Sequence, residues 1–273
     1  MNLDRLRDVR CFLLDMDGTF YLGDRLLPGS LPFMQTMAHL GVDHLFVTNN
    51  SSQNRAYYAA KLGRLGFPTP AERVFTSGEA TALFLARQYP GARVYVVGTP
   101  ALEAELRDHG FLLTDQEPDV AVLGFDTTLT YAKLRTLCDL VRVGKPYIAT
   151  HPDFNCPIDG GYMPDIGAMV AFVRASTGKE PKVIGKPEPE MVQAVLQKTG
   201  LRPHQLAMVG DRLYTDIAMG VGAGICSILV LSGETTREDL AASAIRPDFV
   251  FTDLGELAHT LVSLQLSKTG QGL

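Results

Sequence analysis

The sequence predicts an α/β protein with a doubly wound parallel sheet, the Rossmann-like arrangement, and three observations support this class. Short runs rich in β-branched and aromatic residues alternate with helical patterns along the chain. Helices between successive strands imply parallel sheets that are covered on both faces. The 273 residues contain more predicted strands than one sheet holds comfortably, so we expect two sheets in two domains.

The predicted elements follow in a regular order. Strands are expected at CFLLD, HLFVTN, RVFTS, RVYVVG, VAVLGF, PYIAT, KVIG, LAMVGD, CSILVL and DFVF. Helices are expected at residues 30–40 and 52–65, in GEATALFLARQY, PALEAELRDHG and TYAKLRTLCDLVRVG, and from about Asp165 onward. Residues 80–181 carry βαβ units of their own, so we predict an inserted α/β cap there and a core formed by residues 1–79 and 182–273.

Two further segments have a distinctive composition. The stretch THPDFNCPIDGGYMPDIGAM, residues 150–169, is rich in Gly, Pro, Asp and Asn, and it predicts a loop or several turns before a helix. The last residues, SKTGQGL, have no apolar period and are expected to fray.

Composition limits the classes of partner. The net charge of −5, without a cluster of Lys or Arg, argues against a nucleic-acid partner. No apolar run reaches the roughly 18 residues of a membrane span, and the charged first ten residues lack the apolar stretch of a signal peptide. The four cysteines show no CxxC spacing, so we expect free thiols in a cytoplasmic protein rather than disulfides or a metal site.

Polar residues follow four of the predicted strands. They are Asp15, Asp17 and Thr19 after CFLL, Thr48, Asn49 and Asn50 after HLFV, Lys186 after KVIG, and Asp211 and Asp216 after LAMVG. Ligands of open parallel sheets bind beyond the carboxyl ends of the strands, so neighbouring strands would bring these groups into one crevice. Taken singly, the motifs have simpler explanations: DMDG fits a solvated turn, the residues around Ser51 fit a helix cap, and Lys186 fits a surface lysine.

The charges in this crevice predict a bound cation. If Asp17 is protonated, Asp15, Asp211 and Asp216 contribute three negative charges and Lys186 contributes one positive charge. One divalent cation then brings the site to neutrality. Carboxylate oxygens are hard ligands that suit Mg²⁺, and the neutralised site can accept a phosphate monoester.

The four groups, in this order, resemble the four motifs of the haloacid dehalogenase-like (HAD) superfamily. Asp15-Met16-Asp17-Gly18-Thr19 resembles the first motif of this family, and Thr48 to Asn50 resembles the second. Lys186 in GKPEP resembles the third motif, and GDRLYTD, from Gly210 to Asp216, resembles the fourth motif. The long insertion between the second and third motifs is similar to the class with the larger, C2-type cap, which includes p-nitrophenyl phosphatase-like, pyridoxal-phosphate-phosphatase-like and N-acetylglucosamine-operon phosphatase proteins.

The resemblance implies catalytic roles for three residues. Asp15 would attack phosphorus and form an aspartyl-phosphate, which divides a very high barrier into two steps. Asp17 would protonate the leaving alkoxide and then deprotonate the hydrolytic water. Lys186 would neutralise Asp15 and the transferring oxygens. The presence of Asp17 favours phosphoester chemistry over dehalogenation.

The resemblance also implies ligands for the metal and the phosphoryl group. Mg²⁺ would bind Asp15, Asp211 and the main-chain carbonyl of Asp17, while Asp216 would act through metal-bound water or by orienting Lys186. The phosphoryl oxygens would be bound by the residues of the second motif and of the first loop, namely the Thr48 hydroxyl, Asn50, and the amide N–H groups of Asn49, Met16 and Gly18. In the cap, Asp153, Asn155 and Asp165, with Tyr162 nearby, are expected to contact the alcohol part of the substrate.

The sequence therefore predicts a Mg²⁺-dependent phosphatase, a phosphoric monoester hydrolase that acts on small phosphorylated metabolites. Two alternatives stay open at this point: phosphotransfer to a sugar or small alcohol, and a non-catalytic protein that binds a phosphorylated metabolite on the same fold. The resemblance further suggests a homodimer that pairs through the cap.

Overall fold

The structure is a computed structural model that describes residues 3–158 and 160–269. The strands are β1 (Cys11–Leu14), β2 (Tyr21–Leu22), β3 (Arg25–Leu26), β4 (Asp43–Thr48), β5 (Val74–Thr76), β6 (Arg93–Val97), β7 (Leu112–Leu113), β8 (Val120–Leu123), β9 (Tyr147–Ala149), β10 (Asn155–Ile158), β11 (Gly161–Pro164), β12 (Lys182–Val183), β13 (Leu206–Gly210), β14 (Cys226–Val230) and β15 (Phe249–Phe251). The helices are α1 (Asp4–Arg7), α2 (Ser30–Leu40), α3 (Arg55–Arg64), α4 (Ser77–Gln88), α5 (Pro100–Asp108), α6 (Tyr131–Arg142), α7 (Ile166–Thr177), α8 (Pro189–Thr199), α9 (Ala218–Ala223), α10 (Arg237–Ala242) and α11 (Leu254–Thr269).

Two larger sheets carry the fold. One has six strands in the order β15-β14-β13-β1-β4-β5, and the other has five strands in the order β12-β9-β8-β6-β7. In the first sheet β1 lies between β13 and β4 and is parallel to both, with Leu14 opposite Val209 and Phe46. Every predicted strand is present, and the predicted α/β class with parallel sheets and helices is confirmed.

The burial of the strands explains why the central sheet forms. Every residue of β1, β13 and β14 is buried, as expected for parallel strands that are covered on both faces. In the five-stranded sheet, β8 and β9 are buried along their whole length and pack against Leu134, Leu137 and Val141 of α6. Among the described residues, no helix has the length and apolar character needed to cross a membrane.

The described chain divides into two compact units. The first unit comprises the described residues up to Val47, Ala59–Val74, and the described residues from Leu196 onward. The second unit comprises Thr48–Tyr58 and Phe75–Val195. The predicted division into a core of residues 1–79 and 182–273 and a cap of residues 80–181 stays a prediction.

Two hairpins were not predicted. One pairs β2 with β3 directly after the first motif. The other pairs β10 with β11, with Asn155 opposite Pro164, inside the segment 150–169 that was expected to be a loop or turns. Its strands are partly exposed and lack an apolar alternation, so no strand pattern marks them, and the left-handed Gly160 (φ 79°) precedes its second strand.

Two helix ends can be compared with the prediction. The helix expected from about Asp165 begins at Ile166, and the Asp165 side chain caps it. The tail that was expected to fray lies partly in α11, which extends to Thr269, while residues 270–273 lie outside the described residues.

Candidate active site

Three carboxylates of the first unit form an acidic cluster. Asp15, Asp211 and Asp216 each offer one oxygen, and these oxygens all lie within 4.8 Å of one another. Asp15 follows β1 and Asp211 follows β13, and these strands are adjacent and parallel. The carboxyl ends of neighbouring parallel strands lie about 4.8 Å apart, so the two side chains come together as the sequence predicts.

Asp216 reaches the cluster through an unusual turn. Residues Leu213–Ile217 form a single π-helical turn, in which the Ile217 N–H donates to the Arg212 carbonyl at 3.2 Å. Such turns are frequent at functional sites because they redirect side chains. A Cβ atom at Gly210 would lie 2.2 Å from Cγ of Asp216, so only glycine at this position lets the carboxylate approach the strand end.

Asp211 is held by groups from two loops. Its Oδ2 accepts from the Glu234 N–H at 2.7 Å, and its Oδ1 accepts from the Thr19 hydroxyl at 3.3 Å. The backbone at Gly18 and Gly233 packs closely against this carboxylate. A Cβ atom would lie 2.4 Å from Oδ2 at Gly18 and 2.0 Å from Oδ2 at Gly233, so neither position has room for a side chain. The bond from Thr19 to Asp211 joins the first loop to the fourth motif.

The acidic cluster fits a divalent cation. Burial, followed by the negative charges of Asp15 and Asp216, raises the pKa of Asp211 to about 8. Carboxylates that repel one another in this way are stabilised together by a bound cation, and an all-oxygen set suits a hard ion such as Mg²⁺. The residues present therefore match the donor set that the sequence predicts.

Asp17 lies beside this cluster in a different environment. Burial raises the pKa of the Asp17 carboxyl to about 6; the Lys61 ammonium opposes the shift, and the Asp15 carboxylate adds to it. The Nζ atom of Lys61 lies 4.0 Å from the centroid of the Tyr21 ring. A carboxyl with a raised pKa is suited to exchange a proton near neutral pH, which matches the acid–base role expected of Asp17.

The first loop departs from one expectation. The Gly18 N–H was predicted to bind a phosphoryl oxygen, but it donates to the Tyr21 carbonyl at 2.8 Å. Gly18 has a φ of 81°, and the Ser232 hydroxyl donates to its carbonyl at 2.8 Å. The loop therefore closes on itself and on the segment after β14, and this amide has an internal partner. The role expected for the Met16 amide stays a prediction.

Sequence reasoning missed several residues of this region. Arg212 lies within the fourth motif, and its Nε pairs with Oε2 of Glu234 at 2.9 Å. Burial alone would lower the pKa of Arg212, but nearby carboxylates, including Asp15 and Glu234, outweigh burial and raise this pKa above its ordinary value, so the guanidinium stays charged. The motif could have revealed Arg212, whereas Lys61 and Glu234 belong to distant segments without a signal.

The second unit contains its own group of predicted site residues. The Asn49 side chain binds the main chain of Lys186 twice, since Oδ1 accepts from its N–H at 2.8 Å and Nδ2 donates to its carbonyl at 3.0 Å. Nδ2 also donates to Oδ1 of Asp153 at 3.0 Å. Asn49, Asp153 and Lys186 are 5%, 7% and 2% exposed, so residues from the second motif, the cap and the third motif share one buried network.

Thr48 and Asn50 shape the turn that follows β4. The Thr48 hydroxyl accepts from the Asn50 N–H at 3.1 Å, and Asn50 Oδ1 accepts from the Ser52 N–H at 2.9 Å. These bonds stabilise the turn itself and are not the helix cap that the sequence also allowed, because α3 begins at Arg55 and its first turn is capped by Asn54, whose Oδ1 accepts from the Tyr57 N–H at 3.1 Å. Their predicted contact with phosphoryl oxygens stays a prediction.

The residues predicted for the cap differ in exposure. Asn155, at the start of β10, is exposed, and Tyr162 of β11 is 66% exposed. Asp153 and Asp165 are buried, and Asp165 Oδ1 accepts from the Ile166 N–H at 2.6 Å and lies 3.1 Å from His151 Nε2. A role of these residues in binding the substrate stays a prediction.

His151, Asp153 and Asp165 also have the spacing of metal ligands. Each of the three side chains has a hydrogen-bond partner within the protein, which for His151 includes the Thr150 hydroxyl at 3.0 Å from Nδ1. We therefore interpret this group as a hydrogen-bonded support for the start of α7.

The chain belongs to the haloacid dehalogenase-like hydrolases. The family model described as "Haloacid dehalogenase-like hydrolase" matches residues 12–112, and a second, HAD-hydrolase-like model matches residues 183–257. Together the two matches include all four motifs. The predicted family and the predicted fold are confirmed.

Several relatives are similar over more than three quarters of their length. The chain is 37% identical over 257 residues to an acid sugar phosphatase of Staphylococcus saprophyticus, covering 94% of this chain and 99% of the relative. It is 49% identical to the solved 4-nitrophenylphosphatase of Thermotoga maritima, with a TM-score of 0.91 and coverage of 93% and 98%. It is 34% identical to a glycerol phosphate phosphatase of Mycobacterium tuberculosis solved with magnesium, with a TM-score of 0.86 and coverage of 93% and 77%.

Proposed function

We propose that this protein is a Mg²⁺-dependent phosphatase that hydrolyses small phosphate monoesters through an aspartyl-phosphate on Asp15. The observation that carries the proposal is the cluster of Asp15, Asp211 and Asp216 beside the acidic Asp17. Relatives named as acid sugar, 4-nitrophenyl and glycerol phosphate phosphatases bear out the class of enzyme, a phosphoric monoester hydrolase.

The proposed roles assign one task to each group. Asp15 attacks phosphorus while Asp17 protonates the leaving oxygen, and Asp17 then takes a proton from the water that hydrolyses the acyl-phosphate. Asp15, Asp211, Asp216 and the Asp17 carbonyl would hold the cation, which would supply positive charge to offset the negative charge of the phosphoryl group. Lys186, Thr48, Asn50 and the main-chain N–H of Asn49 are proposed to contact the transferring oxygens, while the Asn49 side chain is engaged by Lys186 and Asp153.

The substrate is proposed to be a small phosphorylated metabolite, such as a sugar phosphate, a glycerol phosphate, a nucleotide or p-nitrophenyl phosphate. Asn155 and Asp165 are proposed to contact its alcohol part, whereas Asp153, which accepts from Asn49 Nδ2, is assigned to the hydrogen-bond network of Asn49. The exposure of Asn155 and Tyr162 on the β10–β11 hairpin supports such a surface. Replacing Asn155 or Asp165 is expected to change the ranking of substrates more than the affinity for metal.

A phosphate-release assay tests the proposed function. The purified protein is incubated with a panel of phosphorylated metabolites, with Mg²⁺, Mn²⁺ or Ca²⁺ in turn, and after treatment with a chelator. We expect turnover that the chelator abolishes and Mg²⁺ restores, and none with Asp15→Asn. Turnover by Asp15→Asn would contradict the nucleophile, and phosphate found mainly on an added alcohol would identify a transferase.

We also propose that the protein acts in the cytoplasm, that it has no nucleic-acid or membrane partner, and that it forms a homodimer through the inserted unit. Among the described residues, no disulfide joins Cys11, Cys138, Cys156 and Cys226, which supports a reducing compartment. The net charge of −5 supports the absence of a nucleic-acid partner. Sedimentation equilibrium of the purified protein tests the pairing, and a monomer at micromolar concentration would contradict it.

A further inference from the structure

The Asn49 side chain forms a two-point clasp on one residue. Its Oδ1 accepts from the Lys186 N–H at 2.8 Å, and its Nδ2 donates to the Lys186 carbonyl at 3.0 Å. Its second Nδ2 contact is Oδ1 of Asp153 at 3.0 Å. Rotating the amide by 180° would set oxygen against two acceptors and nitrogen against a donor, so the three bonds fix one orientation.

The clasp acts on a part of the chain outside regular structure. Lys186 lies in the connection between β12, which ends at Val183, and α8, which begins at Pro189. Buried main-chain groups require partners, and in this connection Asn49 supplies both for Lys186. The side chain of one motif thereby sets the position of the main chain of another.

Asp153 ties the clasp to the start of α7. Its carbonyl accepts from the Gly167 N–H at 2.8 Å, and its carboxylate accepts from Asn49 Nδ2. Asp153 is 7% exposed, so this hydrogen bond forms away from water, where an unpaired partner would be costly. The network therefore runs from α7 through Asp153 and Asn49 to Lys186.

We propose that Asn49 is a positioning residue for Lys186 and that Asp153 orients Asn49, an inference that rests on the proposed function of Lys186. A lysine side chain is long and flexible, so its main chain must be held if the ammonium is to reach one place. A displacement of about 1 Å in a catalytic group can lower a rate by about 100-fold. Asn49 and Asp153 act on the reaction through Lys186, without having to touch the substrate.

Gly185 offers a second way to disturb the same clasp. A Cβ atom at Gly185 would lie 2.7 Å from Asn49 Oδ1, 2.7 Å from the Thr150 carbonyl and 2.8 Å from His151 Cβ. Its φ is not in the left-handed region, so alanine would strain the contacts and not the backbone. Gly185→Ala is therefore expected to displace the Asn49 side chain from Lys186 by a steric clash, while every polar group is retained.

A double-mutant cycle between Asn49 and Lys186 tests the proposal. We expect Asn49→Ala, and also Gly185→Ala, to lower kcat/KM for p-nitrophenyl phosphate by about 10- to 100-fold. In a Lys186→Ala background the same changes should cost little, because Asn49 acts through the lysine. Equal losses in both backgrounds would overturn the proposal, since they would indicate a general structural effect.

Substitutions at Asp153 provide the conservative comparison. Asp153→Asn keeps an oxygen that can accept from Asn49, so we expect near-normal activity, while Asp153→Ala should resemble Asn49→Ala across all substrates. A changed ranking of substrates, or an Asn variant as impaired as the Ala variant, would contradict the orienting role. Asn54→Ala is the matched control, because Asn54 bonds the Tyr57 N–H at 3.1 Å on the same segment.

Two outcomes separate this inference from the proposed function. If Lys186→Ala keeps the wild-type rate, the proposed role of the lysine is wrong. If Lys186→Ala is impaired while Asn49→Ala and Gly185→Ala remain normal and folded, as judged by circular dichroism and thermal melting, only the positioning role is wrong.

Discussion

Two carboxylates of the first loop, Asp15 and Asp17, differ in what surrounds them. Asp15 belongs to the acidic cluster that fits a cation, whereas burial raises the pKa of Asp17 to about 6. Two like residues, two positions apart, thus lie in different environments, and the proposed function assigns the role of nucleophile to Asp15 and that of acid to Asp17. Substrates whose leaving groups differ in their need for a proton can test this separation of roles.

Asp17→Asn is expected to affect substrates according to their leaving group. An alkoxide needs a proton to leave, whereas p-nitrophenolate does not, and a general acid contributes about 10²- to 10⁴-fold. The variant should release p-nitrophenol in one rapid burst that matches the enzyme concentration, and then turn over slowly because hydrolysis lacks its base. Stopped-flow absorbance measures the burst.

Two controls accompany this experiment. Asp15→Asn should show no burst, because it lacks the nucleophile. Glycerol phosphate should give no rapid phase with Asp17→Asn, because its leaving oxygen requires protonation. Normal steady-state turnover of both substrates by Asp17→Asn would show that another group supplies the proton.

Among the elements, the loop after β14 supports the acidic cluster through close packing. Gly233 leaves no room for a Cβ atom, which would lie 2.0 Å from Asp211 Oδ2, and the next residue, Glu234, donates its N–H to the same oxygen. The loop therefore fixes both the position of Asp211 and the direction of its lone pairs.

Gly233→Ala is expected to weaken metal binding. Outer partners of metal ligands typically change affinity by about 10- to 100-fold, so the Mg²⁺ concentration for half-maximal activity should rise within that range. The measurements are activity against free Mg²⁺ and the shift in melting temperature that Mg²⁺ produces. Gly222→Ala on α9 is the matched control, because a Cβ there meets nothing within 4 Å. An unchanged Mg²⁺ requirement in Gly233→Ala would refute this account of the loop.

Elements with strong periodicity were predictable, and elements fixed by tertiary contacts were not. The buried strands β1 and β13 show apolar runs followed by carboxylates, so the acidic cluster could be inferred from sequence order alone. The β10–β11 hairpin has exposed, irregular strands, and the turn at Leu213–Ile217 is π-helical, a form that no local pattern announces. The Asn49 clasp could not be inferred either, because it joins residues 137 positions apart.

For the whole molecule, the predicted motifs are divided between the two compact units. Asp15, Asp17 and Asp211 lie in the first unit, while Asn49 and Lys186 lie in the second. The sequence predicts one site from these residues because each follows a strand, and their membership of a single site stays a prediction. The sequence could not show how the second unit is stabilised. A buried acid in the second unit can be tested directly.

Glu105 of α5 is buried in the second unit with few compensating charges. Burial raises its pKa from 4.5 to about 7; the Thr76 hydroxyl and Arg55 oppose the shift, and Glu79 and Asp108 add to it. Between these pH values the folded state keeps a proton that the unfolded state releases. The free energy of unfolding therefore falls as pH rises through this range, and the contribution of Glu105 is fully present only below about pH 4.5.

Glu105→Gln is accordingly expected to stabilise the protein at pH 8 and to have little effect at pH 5. The rise in pKa corresponds to a gain on the order of 3 kcal/mol at pH 8, because the neutral amide avoids burial of a charge. Urea-unfolding midpoints of both proteins at the two pH values measure the difference. Glu103→Gln, which changes a more exposed carboxylate on the same helix, paired with Arg107, is the matched control. A Glu105→Gln protein that is no more stable than the wild type at pH 8 would mean that the folded protein accommodates the ionised Glu105 at no cost, through a partner such as Arg55.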